Sequence, residues 1–186
     1  MRPLYLVVLL PPEPVFSQIW ALKQEVQRLT GSRNAVRLPP HITLLPPWSA
    51  PAEAEETYMA ALAAFAAMER SCPIELENFA WFGDRTLFVH VCQAEALRAM
   101  QARLAAWCNR QALGNPAEKR PYTPHLTLAT RDLPPTQVPA LRQLFNGRTY
   151  TATFTATQFT LFRHDGQQWQ PRATFALGQA ELGTQP

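Results

Sequence analysis

The chain has 186 residues, 47% of them hydrophobic and 17% charged, so it can form one domain with a sizeable core and is too apolar for wholesale disorder. The formal charge of +3 comes without a run of basic residues, which excludes a protein that coats nucleic-acid duplexes nonspecifically but is compatible with a small anionic substrate. The three cysteines show no CxxC spacing, so they indicate neither a disulfide framework nor a zinc site, and a reducing, cytoplasmic compartment is favoured.

The first part of the chain predicts two strands that alternate with two helices. Leu4 to Leu10 is a short apolar run typical of a buried strand and far below the roughly 20 residues that cross a bilayer, so no membrane association is expected. Pro14 to Gly31 carries apolar residues at helical spacing. Pro39 to Leu45 is β-branched and bounded by prolines, which predicts a strand, and Pro51 to Arg70 is rich in alanine and glutamate, which predicts a helix.

The rest of the chain continues this mixture of strands and helices. Its predicted elements are a hairpin of Ile74 to Phe82 and Thr86 to Cys92, a helix from Ala94 to Leu113, a loop from Asn115 to Thr123, a strand at Pro124 to Leu128, a helix from Pro134 or Pro135 to Phe145, and a long hairpin of Tyr150 to Arg163 and Gln168 to Leu177. We therefore predict one α+β domain that spans residues 1–186, with mostly antiparallel pairing.

The sequence Pro-His-x-Thr-Leu occurs twice, at Pro40 to Leu44 and at Pro124 to Leu128, with the two histidines 84 residues apart. Side chains alternate between the two faces of a strand, so His41 and Thr43 share one face, and His125 and Thr127 do the same in the second copy. Each segment is thereby anchored by two apolar residues and presents an imidazole beside a hydroxyl. If the two strands face each other across a groove, four polar groups converge on a volume about the size of a phosphate.

Two histidines suit the hydrolysis of a phosphodiester. The unperturbed pKa of imidazole is about 6.5, so near pH 7 one ring can accept a proton from the attacking water while the other donates one to the departing oxygen. The hydroxyls of Thr43 and Thr127 would hold the non-bridging oxygens, and the chemistry needs no metal and no cofactor. A single histidine in a strand is as often structural as functional. Two matched copies are hard to explain structurally, because core strands do not need two polar residues on one face.

The segments Pro40-His41-Ile42-Thr43-Leu44 and Tyr122-Thr123-Pro124-His125-Leu126-Thr127-Leu128-Ala129 resemble the paired HxT motifs of the 2H phosphoesterase superfamily. Within it, the chain is most similar to the branch of bacterial 2′-5′ RNA ligase-like proteins and RNA 2′,3′-cyclic phosphodiesterases. The likeness extends over most of the chain. It implies two pseudo-symmetric lobes, each a small antiparallel sheet backed by helices, with both motifs in a central cleft.

The resemblance also implies a cyclic phosphodiesterase that acts on the 3′ end of RNA or on a small nucleotide with a cyclic phosphate. By motif position His41 would be the acid and His125 the base, with Thr43 and Thr127 binding phosphate. Other interpretations stay open: a binding protein for RNA ends or nucleotides with little turnover, and an enzyme acting on ADP-ribose cyclic phosphate or 2′-5′ linked oligonucleotides. The family likeness also leaves 2′-5′ RNA ligase activity open. We expect a monomer without an obligate protein partner.

Several other residues are candidates for substrate binding. Tyr122 could stack on a base, and for Trp48 and Phe82 packing in the core or at a rim is favoured over that role. Arg37 and Arg120, with Lys119, stand near the motifs and could contact further phosphates. Arg131 is a further candidate for phosphate binding. Many relatives carry an arginine directly after Thr-Leu-Ala, whereas here Thr130 intervenes and a continuing strand would turn Arg131 to the opposite face. His90 and His164 lack a threonine two residues later, and we assign them no catalytic role.

Overall fold

The computed structural model describes residues 2–113 and 121–178. Its elements in chain order are β1 (Leu4–Leu9), α1 (Val15–Thr30), β2 (Ile42–Ser49), α2 (Glu55–Met68), β3 (Cys72–Phe82), β4 (Thr86–Cys92), α3 (Glu95–Arg110), β5 (His125–Ala129), α4 (Val138–Asn146), β6 (Thr151–Ala156), β7 (Gln158–His164) and β8 (Trp169–Ala176). Short 3-10 turns at Asn34–Val36, Ala52–Ala54 and Pro135–Gln137 join some of them.

The eight strands form one antiparallel sheet in the order β6-β3-β4-β5-β2-β1-β7-β8. The sheet has two four-stranded halves that meet at β2 and β5, where a single residue pair, Ile42 opposite Leu126, joins them. The halves repeat a chain order, because β1-α1-β2-α2 corresponds to β4-α3-β5-α4. The predicted α+β fold with two similar halves is therefore confirmed.

The prediction of one strand from Tyr150 to Arg163 is wrong. The segment divides at Thr157 into β6, which pairs with β3 in one half, and β7, which pairs with β1 in the other. The Thr157 carbonyl accepts a hydrogen bond of 2.8 Å from the Leu177 N–H at this break. The residues on both sides of Thr157 favour β structure equally, so the division depends on long-range pairing that local propensity does not encode.

The main core lies between one face of the sheet and the four helices. Each helix buries an apolar side, represented by Ile19 of α1, Leu62 of α2, Leu104 of α3 and Phe145 of α4. A smaller cluster of Leu6, Val8 and Phe162 covers part of the opposite face. Among the residues described, no helix has both the length and the apolar character that a membrane crossing requires.

Candidate active site

The two Pro-His-x-Thr-Leu segments lie side by side at the centre of the sheet. Ile42 and Leu126 face each other across β2 and β5, and both are fully buried in the main core. Strand alternation then directs His41, Thr43, His125 and Thr127 to the opposite face, where all four are half-buried. The predicted division of faces is confirmed, and the two motifs lie on neighbouring strands where the two halves of the sheet meet.

The register brings the four polar side chains together around a local two-fold axis. The register is fixed by the pair Ile42–Leu126. When it is continued by one residue in each direction, His41 falls opposite Thr127 and Thr43 falls opposite His125. The two histidines are then diagonal neighbours, a relation that separates residues by roughly 7–8 Å in antiparallel sheets, and their Cβ atoms by somewhat less. This spacing lets two imidazoles contact opposite sides of one phosphate.

Both imidazole rings are held by the same backbone contact. Nδ1 of His41 lies 2.7 Å from the Pro39 carbonyl oxygen, and Nδ1 of His125 lies 2.7 Å from that of Thr123. A carbonyl can only accept, so Nδ1 must carry the hydrogen in each ring. The neutral form of each histidine therefore has its lone pair on Nε2, the atom that a base uses to accept a proton.

Aromatic rings surround His125. Its ring centroid lies 4.9 Å from that of Phe82 in an edge contact and 5.0 Å from that of Phe88, while Phe82 and Phe88 stack at 4.2 Å. Burial lowers the pKa of His125, and the hydrogen bond to Thr123 opposes that effect. The register also places His90 directly opposite His125, although His90 has no threonine companion.

The pKa of His41 is lowered to about 4. Burial is the largest cause, the positive charge of Lys23 is the second, the carbonyl of Pro39 acts in the opposite direction, and the charge of His125 adds a smaller lowering effect. Both rings are therefore neutral in the free protein near pH 7. A bound phosphate anion would raise the pKa of both rings, since a nearby negative charge favours the protonated form.

Lys23 is a residue that the sequence interpretation missed. It lies on the buried side of α1 with Ile19 and Val26, is 2% exposed, and has its pKa lowered to about 8 by burial. The available signal was its spacing. Lys23 lies four residues after Ile19 and three before Val26, and both of these are core positions. The apolar residues alone define the helical spacing, so the lysine stands out only when every position on that face is considered.

A cavity of about 540 Å³ opens beside His125. Its lining is mostly apolar and consists of Thr43, Leu44, Pro46, Phe82, Thr86, Gln101, Pro121, Tyr122, Thr123 and His125. Phe82 lines this cavity and is 40% exposed, although its ring stacks on Phe88. The Tyr122 hydroxyl donates to the Thr43 carbonyl at 2.9 Å, which connects the cavity wall to β2.

The other sequence candidates lie in different places. Trp48 is 4% exposed and packs with Tyr5 and Tyr58, which confirms core packing. Arg37 is exposed after the Asn34–Val36 turn, and Arg131 is exposed beyond the end of β5 with a φ of 61°. Neither arginine lines the cavity. Arg120 and Lys119 lie outside the described residues.

Within residues 2–113 and 121–178, no group of three or more histidine, cysteine or acidic side chains is arranged to hold a metal ion. The three cysteines are free, with Cys72 and Cys108 buried. The four motif side chains are two imidazoles and two hydroxyls, which supply proton transfer and hydrogen bonds.

Comparison with known proteins identifies relatives of this arrangement. The family model described as the 2′-5′ RNA ligase superfamily matches residues 11–168. Among solved structures, TT0787 of Thermus thermophilus is 21% identical with a TM-score of 0.68, over 95% of this chain and 98% of that one. E. coli LigT complexed with 3′-AMP is 17% identical with a TM-score of 0.68, over 95% and 99%.

A more distant structural similarity is to the MHV ns2 PDE domain, at 17% identity and a TM-score of 0.50, over 82% of this chain and 90% of that one. A search of curated protein sequences finds no match. At these identities the solved structures establish the fold, and the family model covers most of the sequence, including both Pro-His-x-Thr-Leu segments. The chain is therefore a member of the 2′-5′ RNA ligase superfamily.

Proposed function

We propose that the protein is a phosphodiesterase that hydrolyses 2′,3′-cyclic phosphates at RNA 3′ ends or on nucleotides, with His41 and His125 as an acid–base pair. Membership of the 2′-5′ RNA ligase superfamily supports a phosphodiesterase-type function. The observation that carries the proposal is the matched geometry of the two rings. Each has Nδ1 bound to a backbone carbonyl, and both lie on the same face of neighbouring strands.

The proposed reaction uses one proton transfer at each ring. One neutral histidine takes a proton from water through Nε2 as the water oxygen bonds to phosphorus, and the bond from phosphorus to one ribose oxygen breaks. The other histidine, protonated when the anionic substrate binds, gives its proton to that oxygen. The product is a nucleoside monophosphate, and proton exchange with solvent returns both rings to their starting state. Thr43 and Thr127 would donate hydrogen bonds to the non-bridging oxygens.

The cavity beside His125 supports a nucleoside as the rest of the substrate. Its volume lies in the range of sites that enclose small ligands, and the exposed face of Phe82 offers a stacking surface for a base. The LigT structure among the neighbours was solved with 3′-AMP, a nucleotide of the kind that hydrolysis of a cyclic phosphate produces. Tyr122 would then serve as a wall of the cavity more than as a free stacking surface, because its hydroxyl is bound to Thr43.

The test is hydrolysis of the four nucleoside 2′,3′-cyclic phosphates by the wild type, His41→Ala and His125→Ala. We expect wild-type turnover that is insensitive to a chelator, and a loss of about 10²- to 10⁴-fold in kcat for each variant. His164→Ala is the matched control, since His164 lies at the end of β7 by the turn to β8, away from the motif strands. Product analysis will show whether the 2′- or the 3′-phosphate remains. Activity that survives both motif substitutions would refute the proposal.

The same assay separates the remaining candidates. Tight binding of a 2′- or 3′-phosphorylated nucleotide without turnover of any cyclic phosphate would identify a binding protein. Turnover of ADP-ribose cyclic phosphate or of a 2′-5′ linked oligonucleotide in preference to the nucleoside substrates would change the substrate class and leave the acid–base pair in place.

A further inference from the structure

The cavity beside His125 extends from the motif face of the sheet towards the helices. Its lining includes Thr43 and His125, which lie on the motif face, and Gln101, which lies on α3. α3 packs on the opposite, core face of the sheet and against β2. The strands β2 and β5 share the single pair Ile42–Leu126, and the cavity lies on the side of this pair where they are no longer joined. A ligand in the cavity therefore has one end at the motif residues and the other at α3.

Two side chains bind the backbone of β2 beside the cavity. The register of β2 against β1 shifts at Leu44, which is the extra residue of a β-bulge, a feature often found next to active sites. The Thr43 carbonyl accepts a hydrogen bond of 2.9 Å from the Tyr122 hydroxyl. The next carbonyl, that of Leu44, accepts one of 3.2 Å from Nε2 of Gln101. The side chain of Gln101 is thus held against the strand that carries the first motif.

The bond to Leu44 also fixes the orientation of the Gln101 amide. A carbonyl oxygen can only accept, so the NH₂ group of the amide, and not Oε1, must face it. Oε1 makes no hydrogen bond with residues 2–113 or 121–178, and it is not among the fully buried polar atoms of this part of the chain that lack a partner. The side chain is half-buried and lines the cavity. Gln101 therefore presents an acceptor oxygen at the α3 end of the cavity.

Two other polar groups of the lining already have partners in the protein. The Thr86 hydroxyl lies 2.9 Å from that of Thr130, and the Tyr122 hydroxyl donates to the Thr43 carbonyl. Most of the remaining lining is apolar. A ligand group that reaches Oε1 of Gln101 thus meets an acceptor in mostly apolar surroundings, where a matched hydrogen bond is favourable and an unmatched polar group is costly.

The direction of the cavity determines which part of a nucleoside reaches Gln101. With the phosphate at His125 and Thr43, the ribose follows and the base extends towards α3. The position of the base far from the ribose carries an amino group in adenine and cytosine and a carbonyl oxygen in guanine and uracil. An amino group donates to Oε1. A carbonyl oxygen would instead place two acceptors against each other with no hydrogen between them.

We propose that Gln101 is a specificity-determining residue whose Oε1 selects cyclic phosphates of adenine and cytosine nucleosides over those of guanine and uracil. This inference rests on the proposed function, which does not itself distinguish between the bases. Stacking on Phe82 cannot make the distinction, because every base has a π-face. The bond from Nε2 to Leu44 maintains the preference, since an amide turned over to offer its NH₂ group would place Oε1 against the Leu44 carbonyl.

The test compares substrates that differ by the exchange of the amino group for a carbonyl oxygen. We would measure kcat/KM for the 2′,3′-cyclic phosphates of cytidine and uridine, and of adenosine and inosine, in the wild type, Gln101→Met and Gln143→Met, the last at an exposed glutamine of α4. We expect the wild type and Gln143→Met to prefer cytidine and adenosine by about tenfold or more, and Gln101→Met to bring both ratios within about threefold of one. If Gln101 only held Leu44, Gln101→Met would lower all four values alike, and that result would overturn the inference.

Binding measurements separate this inference from the proposed function. Calorimetric titration with cytidine 3′-monophosphate and uridine 3′-monophosphate gives the two Kd values without turnover. We expect cytidine 3′-monophosphate to bind the wild type more tightly by about tenfold, and this difference to be lost in Gln101→Met. A wild type that shows the difference but hydrolyses no cyclic phosphate would refute the proposed function and leave the selection of the base in place. Equal Kd values in the wild type, or no binding of either nucleotide, would overturn the inference even if Gln101→Met failed to fold.

Discussion

The proline in each motif has a physical role at the level of single residues. A proline disfavours helical conformation in the residue before it, so Pro40 and Pro124 keep Pro39 and Thr123 extended. Those two residues supply the carbonyls that accept from Nδ1 of His41 and His125. The proline therefore helps to fix the orientation of the ring that follows it, and with it the tautomer that exposes Nε2.

We predict that Pro124→Ala lowers kcat by about tenfold, because a freer Thr123 holds the His125 ring less firmly. The free energy of unfolding should fall by about 1–2 kcal/mol, since the change adds freedom to the unfolded chain and removes part of a buried ring. Steady-state kinetics and urea titration measure the two effects. Pro135→Ala, at an exposed proline remote from the motifs, is the control. Wild-type kcat in Pro124→Ala would contradict this role.

A second prediction concerns the pH dependence of stability. The pKa of His41 in the folded protein, about 4, lies below the value of about 6.5 expected in the unfolded chain. Between these values the unfolded state binds more protons, so stability falls as pH falls from 6.5 towards 4, by about 2 kcal/mol from this group. His41→Gln should lessen that decline, as measured by urea titration at about pH 4.5 and pH 7. An equal decline in the free energy of unfolding for the wild type and His41→Gln would show that His41 is not its cause.

At the scale of elements, the buried carboxylate of Glu55 connects α2 to the strands β1, β7 and β8. Glu55, the first residue of α2, accepts hydrogen bonds from Arg163 of β7 at 3.0 Å, Arg172 of β8 at 2.8 Å and Tyr5 of β1 at 3.2 Å. Burial alone would raise the pKa of Glu55, but the bonds from Arg172 and Arg163 outweigh that effect and lower it. A negative side chain also suits the start of a helix.

We predict that Glu55→Ala lowers the free energy of unfolding by about 2–4 kcal/mol, because it leaves the Arg163 and Arg172 charges without their partner. Glu56→Ala, at the exposed next residue, should change it by less than about 0.5 kcal/mol. Urea or thermal unfolding measures both. Equal effects of the two substitutions would show that the network contributes little.

Local patterns predicted most of the elements but not all of their connections. The strands with Leu4–Leu9 and His125–Ala129 follow from apolar runs bounded by prolines, and α1 ends at Gly31, whose φ of 74° suits glycine at a helix end. The division at Thr157 and the placement of the two motifs on adjacent strands depend on pairing between distant segments. Such pairing leaves no periodic signal in the sequence.

At the scale of the whole molecule, the repeated motif is one sign of a wider two-fold repeat. Each half supplies a strand with one histidine and one threonine, and the joining pair Ile42–Leu126 lies on the local axis. The sequence indicated candidate site residues through the repeated five-residue pattern, which contains His41, Thr43, His125 and Thr127. Lys23 lies on α1, outside the repeated segments, so no repetition marked it.

The surroundings of the two motif histidines differ, because His125 lines the cavity and His41 does not. We predict that Phe82→Ala raises KM for a nucleoside 2′,3′-cyclic phosphate by about tenfold or more with little change in kcat, since a base stacked on an aromatic ring gains about 1–3 kcal/mol. Met68→Ala, which also removes an exposed apolar side chain, is the control. Unchanged KM in Phe82→Ala would place the nucleoside elsewhere.

In the proposed mechanism His41 and His125 act on one phosphate as a unit. The most direct measurement of this is kcat/KM for a nucleoside 2′,3′-cyclic phosphate in the wild type, His41→Ala, His125→Ala and the double variant. Residues that act as a unit are strongly non-additive, so we predict that the double variant is within about tenfold of either single variant. Losses that multiply, so that the double variant falls by the product of the two single effects, would contradict joint action on one phosphate.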